Sequence, residues 1–201
     1  MDEEPSDVVL LDRWRAGASD AGQQLFQRHF DSVYGFFETK CGNEADELTQ
    51  GTFLACLGAR DQFRGASSFR TYLFAIARNE LYRFFRSKER AKKLDFELSS
   101  IADLVSTPGT KLVRSQEHQR LLEALQRMPL EQQTLLELHY WEDMGIGDLA
   151  TVFDAPEATI RVRLHRARKT LRDKILETAP PAVVETLDTM DQWARQLKRS
   201  P

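Results

Sequence analysis

Residues 142–174, EDMGIGDLATVFDAPEATIRVRLHRARKTLRDK, constrain the rest of this chain most. Leu149, Ala150 and Phe153 form the apolar side of a short first helix. Asp154-Ala155-Pro156 ends it, because Asp tolerates the left-handed backbone of a tight corner and Pro156 cannot continue a helix. Ile160, Leu164, Ala167, Leu171 and Ile175 then follow at spacings of 4, 3, 4 and 4, one stripe of a second helix. Ala150 is small where two steeply crossing helices must touch. A short helix, a tight turn and a basic second helix form a helix-turn-helix, whose second helix enters the DNA major groove.

Residues 160–174 hold seven Lys or Arg and one Asp. At about 100° per residue, Arg161, Val162, His165, Arg166 and Lys169 turn away from the apolar stripe, with Arg163 and Arg168 at its flanks. Arg bridges two acceptors on a guanine edge, and an exposed Val touches a thymine methyl. The bland alternative is a solvated basic helix with no partner. The coincidence of basic face, turn and small Ala150 argues against it.

A formal net charge of −3 conceals segregation. Residues 61–95 carry nine basic and four acidic residues, whereas residues 1–60 carry five and eleven, and residues 117–159 two and nine. Two separated basic blocks on an acidic chain suit two contacts with one polyanion. No apolar run is long enough to span a membrane. The acidic start, MDEEPSDVV, does not have the form of a signal peptide. Cys41 and Cys56 make neither a metal-ligand spacing nor a disulfide framework, which fits a reducing cytoplasm.

Helical spacing recurs along the chain and period-2 alternation does not, so the expected fold class is all-α: two small helical domains joined by a flexible linker, the C-terminal one a helix-turn-helix. Residues 7–16 form a short helix ending at Gly17, with Trp14 on its apolar side. Ser19 is the expected N-cap of the next helix, whose stripe is Phe26, Phe30, Val33 and Phe37. A third helix over 44–57 has a core side, Ala45, Leu48, Thr52 and Ala55. Its other row, Asp46, Gln50, Phe53 and Leu57, suits a protein partner or simple burial. Residues 61–67 form a loop with Phe63 and Arg64 exposed, and Ser67 or Ser68 caps the fourth helix. That helix is apolar over most of its circumference. Thr71, Arg78, Asn79, Tyr82 and Arg86 share the remaining side, where stacking and phosphate contacts suit unpaired nucleic acid. Residues 94–115 read as a linker. Residues 182–198 carry a last stripe, Val183, Leu187, Met190, Ala194 and Leu197, with Trp193 beside it.

Three segments in order resemble a known family. Residues 45–53, ADELTQGTF, are similar to a helix that docks on RNA polymerase core. Phe63-Arg64-Gly65, Phe69 to Leu73 (FRTYL) and Ile76 to Leu81 (IARNEL) resemble a promoter-melting segment. Leu125 to Pro129, Leu135, Leu138 and the run from Leu149 to Arg168 resemble a C-terminal promoter-reading domain. The chain thus resembles a bacterial sigma factor of the extracytoplasmic-function type over residues 7–175. Gly51 stands where that family usually has an acid, Tyr72 where Trp is common and Val162 where a small polar residue is frequent. Gly145 and Gly147 open the first helix of the helix-turn-helix without the usual capping box.

The resemblance implies a transcription initiation factor and no enzyme; no nucleophile–base pair or phosphate loop speaks for one. It divides the chain into residues 1–93, a region 2-like domain; 94–115, the linker; 116–178, a region 4-like helix-turn-helix domain; and 179–201, an amphipathic extension. Asp46, Glu47, Gln50, Phe53 and Leu57 would bind core polymerase. Phe63, Arg64, Arg70, Arg78, Asn79, Tyr82 and Arg86 would read and melt the −10 element. Thr159, Arg161, Val162, His165, Arg166 and Lys169 would read the −35 duplex. Expected partners are core polymerase and promoter DNA, with room for an anti-sigma protein. No cofactor, metal or membrane insertion is implied, and the expected location is cytoplasmic. An ordinary regulator with an N-terminal effector or dimerisation domain explains the helix-turn-helix but not the other two faces.

Overall fold

The computed structural model describes residues 4–92 and 116–177, all helix, turn or loop, with no strand among them. The expected linker 94–115 and the extension 179–201 lie outside the described residues. The N-terminal group is α1 (Asp7–Arg15), α2 (Ser19–Cys41), α3 (Ala45–Ala59) and α4 (Phe69–Lys92). The C-terminal group is α5 (Gln116–Gln126), α6 (Leu130–Tyr140), α7 (Ile146–Phe153) and α8 (Glu157–Leu176). The groups meet where α7 packs on α4 and where α6 reaches the end of α2.

Helix α1 buries Leu10, Leu11 and Trp14 against α2. A Cβ on Gly22 would sit 2.6–2.8 Å from the Trp14 indole, so the close approach of α1 to α2 requires glycine there. Gly17 turns the chain between them at φ +101°. The cap of α2 is Ala18, without a side-chain bond, not Ser19, which is already helical. Its buried face is Leu25, His29, Val33, Phe36 and Phe37; Phe30 of the expected stripe is 45% exposed. Ser68 caps α4, accepting from the Thr71 N–H at 3.0 Å. Phe69, Leu73, Phe74, Ala77, Leu81 and Phe85 make α4 the centre of its group.

Ser6 caps α1, and Asp7 in its first turn lies 2.7 Å from both His29 Nε2 and Arg28 Nη1 on α2. The hydrogen bond with His29, helped by Arg28 and opposed by desolvation, holds the Asp7 carboxyl below its ordinary value. A depressed folded pKa contributes stability above the unfolded pKa of about 3.9 and loses it as pH falls through the folded value. Asp7→Asn should therefore melt at lower temperature than the wild type near neutral pH. That gap should close on acidification below about pH 4; thermal melts across this range check it.

In the C-terminal group, Asp154 adopts φ 48° and ψ 53°, and Ala155 N–H donates to Ala150 O at 3.0 Å, which makes the expected corner. Ile160, Leu164, Ala167, Leu171 and Ile175 are all buried. Gly145 cannot cap α7 with a side chain, but Asp148 Oδ2 accepts from its N–H at 3.3 Å, half of a reciprocal capping box.

Candidate nucleic-acid and polymerase interfaces

On α8, Arg161, Val162, His165, Arg166 and Lys169 are exposed, and Thr159 is half-buried in the first turn. Arg161 Nη2 donates to Glu157 at 2.7 Å one turn earlier. The flanking pair is held inward. Arg163 pairs with Glu131 on α6, and Arg168 Nε donates to the Tyr140 hydroxyl at 2.7 Å. The two flanks thus brace α8 against α6, leaving the outer face for a ligand.

On α3 the outward row is Glu47, Gln50, Leu54 and Leu57, with Asp46 beside it. Phe53 departs from the expectation. It is 8% exposed, its ring 4.7 Å from Phe26 and stacked 6.2 Å from Phe30. The aromatics of α2 draw Phe53 into the helix–helix contact, which rotates the exposed row so that Leu54, 60% exposed, stands in it. The spacing of 3, 4 and 3 from Glu47 to Leu57 was a signal for Leu54 in the sequence. Phe30, stacked on Phe53, and Leu57 of the same row are also exposed apolar side chains. A Cβ on Gly51 would meet nothing within 4 Å, so packing does not demand glycine there.

The basic side of α4 is divided. Arg64 in the preceding loop, Asn79 and Arg86 are exposed. Phe63 is not exposed as expected; its ring packs edge-on to Phe69 and 4.9 Å from Tyr72, anchoring the loop. Arg15 of α1, unforeseen in the sequence, holds the same loop. Its Nη2 donates to Arg60 O at 2.8 Å and also to Phe63 O, and its guanidinium lies over the Phe63 ring.

Arg70, Thr71, Arg78 and Tyr82 face the C-terminal group and are not a solvated or open face. Arg70 donates to the backbone oxygen and carboxylate of Glu142, both at 2.5 Å. The Thr71 hydroxyl donates to Asp148 Oδ1 at 2.8 Å. The Arg78 guanidinium lies 4.3 Å from the Tyr82 ring centre and 4.8 Å from that of Phe153. Burial pushes the Tyr82 phenol up to about 12. Among the described residues no cluster of His, Cys, Asp and Glu could hold a metal ion, and no helix is long and apolar enough to cross a membrane.

Two family models match the chain: Sigma-70 region 2 over residues 25–91 and Sigma-70, region 4 over residues 118–171. They fall on the two helical groups in that order. The chain belongs to the sigma-70 family. Its relatives place it with the extracytoplasmic-function (ECF) factors. The ECF RNA polymerase sigma-E factor of Haemophilus influenzae is 25% identical over 185 residues, covering 87% of this chain and 98% of the relative. The ECF RNA polymerase sigma factor BldN of Streptomyces coelicolor is 28% identical over 168 residues, covering 82% and 64%. Among solved structures, the fold resembles the sigma factor RpoE in complex with the anti-sigma factor NepR from Bartonella quintana. That match has TM-score 0.62 and 22% identity, and covers 79% of this chain and 98% of the other. It also resembles CnrH in complex with the cytosolic domain of CnrY, with TM-score 0.65 and 20% identity, covering 87% and 100%. This sigma factor is thus a transcription initiation factor that works with RNA polymerase and promoter DNA, from a family that is not known for enzymes.

Proposed function

We propose that this sigma factor divides promoter recognition between its two helical groups. Residues 116–178 read the −35 element as duplex through Thr159, Arg161, Val162, His165, Arg166 and Lys169. Residues 1–93 dock on core polymerase and melt the −10 element. The observation that carries this reading is the outward basic face of α8, braced from behind by Arg163 and Arg168. Docking falls to Asp46, Glu47, Gln50, Leu54 and Leu57, with Phe53 as a buried support. Arg64, Arg70, Arg78, Asn79, Tyr82 and Arg86 serve the melted strand, by phosphate contact and stacking. An anti-sigma protein is a partner by analogy with the two structural relatives, each solved with one. The site of action is the cytoplasm, where the polymerase works.

Arg15 is a positioning residue in this reading, because it fixes the backbone of the loop that carries Arg64. Arg15→Met and Asn79→Ala should each slow promoter opening, read as loss of permanganate reactivity, while leaving core affinity unchanged. A pre-melted template should restore transcription to both variants. If it does not, the melting role of α4 and its loop is wrong.

A further inference from the structure

We propose that His139 is a positioning residue for −35 reading: from the end of α6 it holds the Arg168 guanidinium, and through it fixes the roll of α8. This deepens the −35 assignment above and rests on it.

His139 lies in the last turn of α6 and is half-buried. Its ring bridges two segments. Nδ1 is 2.9 Å from Met144 O, in the connector just before α7, and Nε2 is 3.3 Å from Arg168 Nη2 on α8. A carbonyl oxygen only accepts and a guanidinium only donates, so the hydrogen sits on Nδ1 and Nε2 is the acceptor. Met144 N–H in turn donates to Leu138 O at 3.0 Å, which ties Met144 to α6 through both its backbone groups. That tie selects the tautomer in which the ring can receive Arg168.

Arg168 is forked between two neighbours on α6. Its Nε donates to the Tyr140 hydroxyl at 2.7 Å, its Nη2 to His139, and its central carbon lies 5.6 Å from the Tyr140 ring centre. Tyr140 is buried, and its ring centre is 4.8 Å from that of His139. Two acceptors orient a planar guanidinium more tightly than one. Arg168 stands two residues beyond Arg166 and one before Lys169, so its placement sets where both of them point. A roll of about 10° moves a side-chain tip about 5–6 Å from the helix axis by about 1 Å. A binding group must be held to within about 0.5 Å. Arg163, paired with Glu131, is a second brace about a turn and a half earlier. It keeps α8 docked when the first brace is weakened. Loss of His139 should therefore lower discrimination before it unfolds the domain.

Two amide replacements separate the two ring nitrogens. His139→Gln places an oxygen where Nε2 stood and can still accept from Arg168. His139→Asn places an amide N–H where Nδ1 stood, serving Met144 O but not Arg168. His139→Leu serves neither. Fluorescence anisotropy of the full chain is measured on a labelled −35 duplex from a promoter the factor uses, and on the same duplex with the −35 element scrambled. The ratio of the two affinities reads discrimination, which a loss of stability alone does not move. The expected ratio is about fivefold to tenfold lower in His139→Leu and His139→Asn, and within about twofold of wild type in His139→Gln. Arg168→Met should lower the ratio as far, and adding His139→Leu to it should lower it no further. Heteronuclear NMR of the wild-type ring, assigned by its absence from His139→Gln, should show the hydrogen on Nδ1. An unchanged ratio in His139→Leu, with or without a lower melting temperature, would reduce His139 to packing and overturn the proposal. So would rescue by Asn rather than Gln, a further loss in the Arg168→Met background, or a ring hydrogen on Nε2. If His139→Leu loses its helical circular dichroism, the Gln and Asn variants decide by the same ratio. If the wild type itself does not prefer the −35 duplex, the −35 assignment falls and the role of His139 with it; failure of that role alone leaves the wild-type preference intact.

Discussion

Phe53→Ala should destabilise the N-terminal helices by about 3–4 kcal/mol, as truncation of a buried aromatic does. Its ring is wedged against Phe26 and stacked on Phe30, so deletion leaves a cavity that the helix backbones of α2 and α3 cannot collapse. Urea unfolding of the full chain measures the loss. Leu54→Ala and Gln50→Ala lie one helical step away on the outward row and should change stability by no more than about 0.5 kcal/mol. Their expected effect is on core polymerase, with Leu54 the larger because it exposes the most apolar surface of the row. The contrast separates burial from docking. Should Phe53→Ala leave stability intact and abolish core binding, Phe53 would return to the docking row and the rotation of α3 would be wrong.

Arg166→Ala should weaken binding to the −35 duplex by about 1–3 kcal/mol and relax sequence preference at the base it contacts. Arg161→Ala should cost less. In the free protein the Arg161 guanidinium already donates to Glu157 at 2.7 Å, and engaging a guanine means giving up that bond. Glu157→Ala should accordingly strengthen binding slightly, by removing a competing acceptor and a negative charge beside the phosphates. Titration of a −35 duplex and of duplexes mutated one position at a time reads both affinity and preference. Equal losses on every sequence would make these residues phosphate contacts and move sequence reading elsewhere.

The helix-turn-helix was legible because its determinants are local. Asp154 and Pro156 make the corner within three residues, and the stripe from Ile160 to Ile175 needs only helical periodicity to face inward. The outward face of α8 follows from the same arithmetic. The α3 row was legible only to within one position, since periodicity places a row but not its edges. Phe53 lies at such an edge, and the aromatics of α2 decide which way it turns. Phe63 reads as exposed because it sits in a polar loop, yet Phe69 and Tyr72 take it into the core.

What sequence patterns could not reveal are contacts between distant segments. Arg15 reaches a carbonyl 45 residues away, and Lys40 meets a carboxylate 97 residues away. Each looks like an ordinary charged helix residue in its own neighbourhood. The covering of Arg78 by Phe153 of α7 has the same origin. A basic, aromatic helix face predicts an affinity for nucleic acid but does not announce that another part of the chain fills it first.

Run-off transcription with purified core polymerase is the most direct test of promoter-directed initiation shared between the two helical groups. The templates would be promoter-bearing fragments from the factor's own genome, each also with its −35 or its −10 element scrambled. The expected result is a transcript with a fixed start that needs the factor and is lost with either element, with pre-melting of the −10 region removing the need for α4's exposed Asn79. A chain that co-purifies with core yet yields no specific transcript on any of these templates, or one indifferent to the −35 sequence, would contradict it.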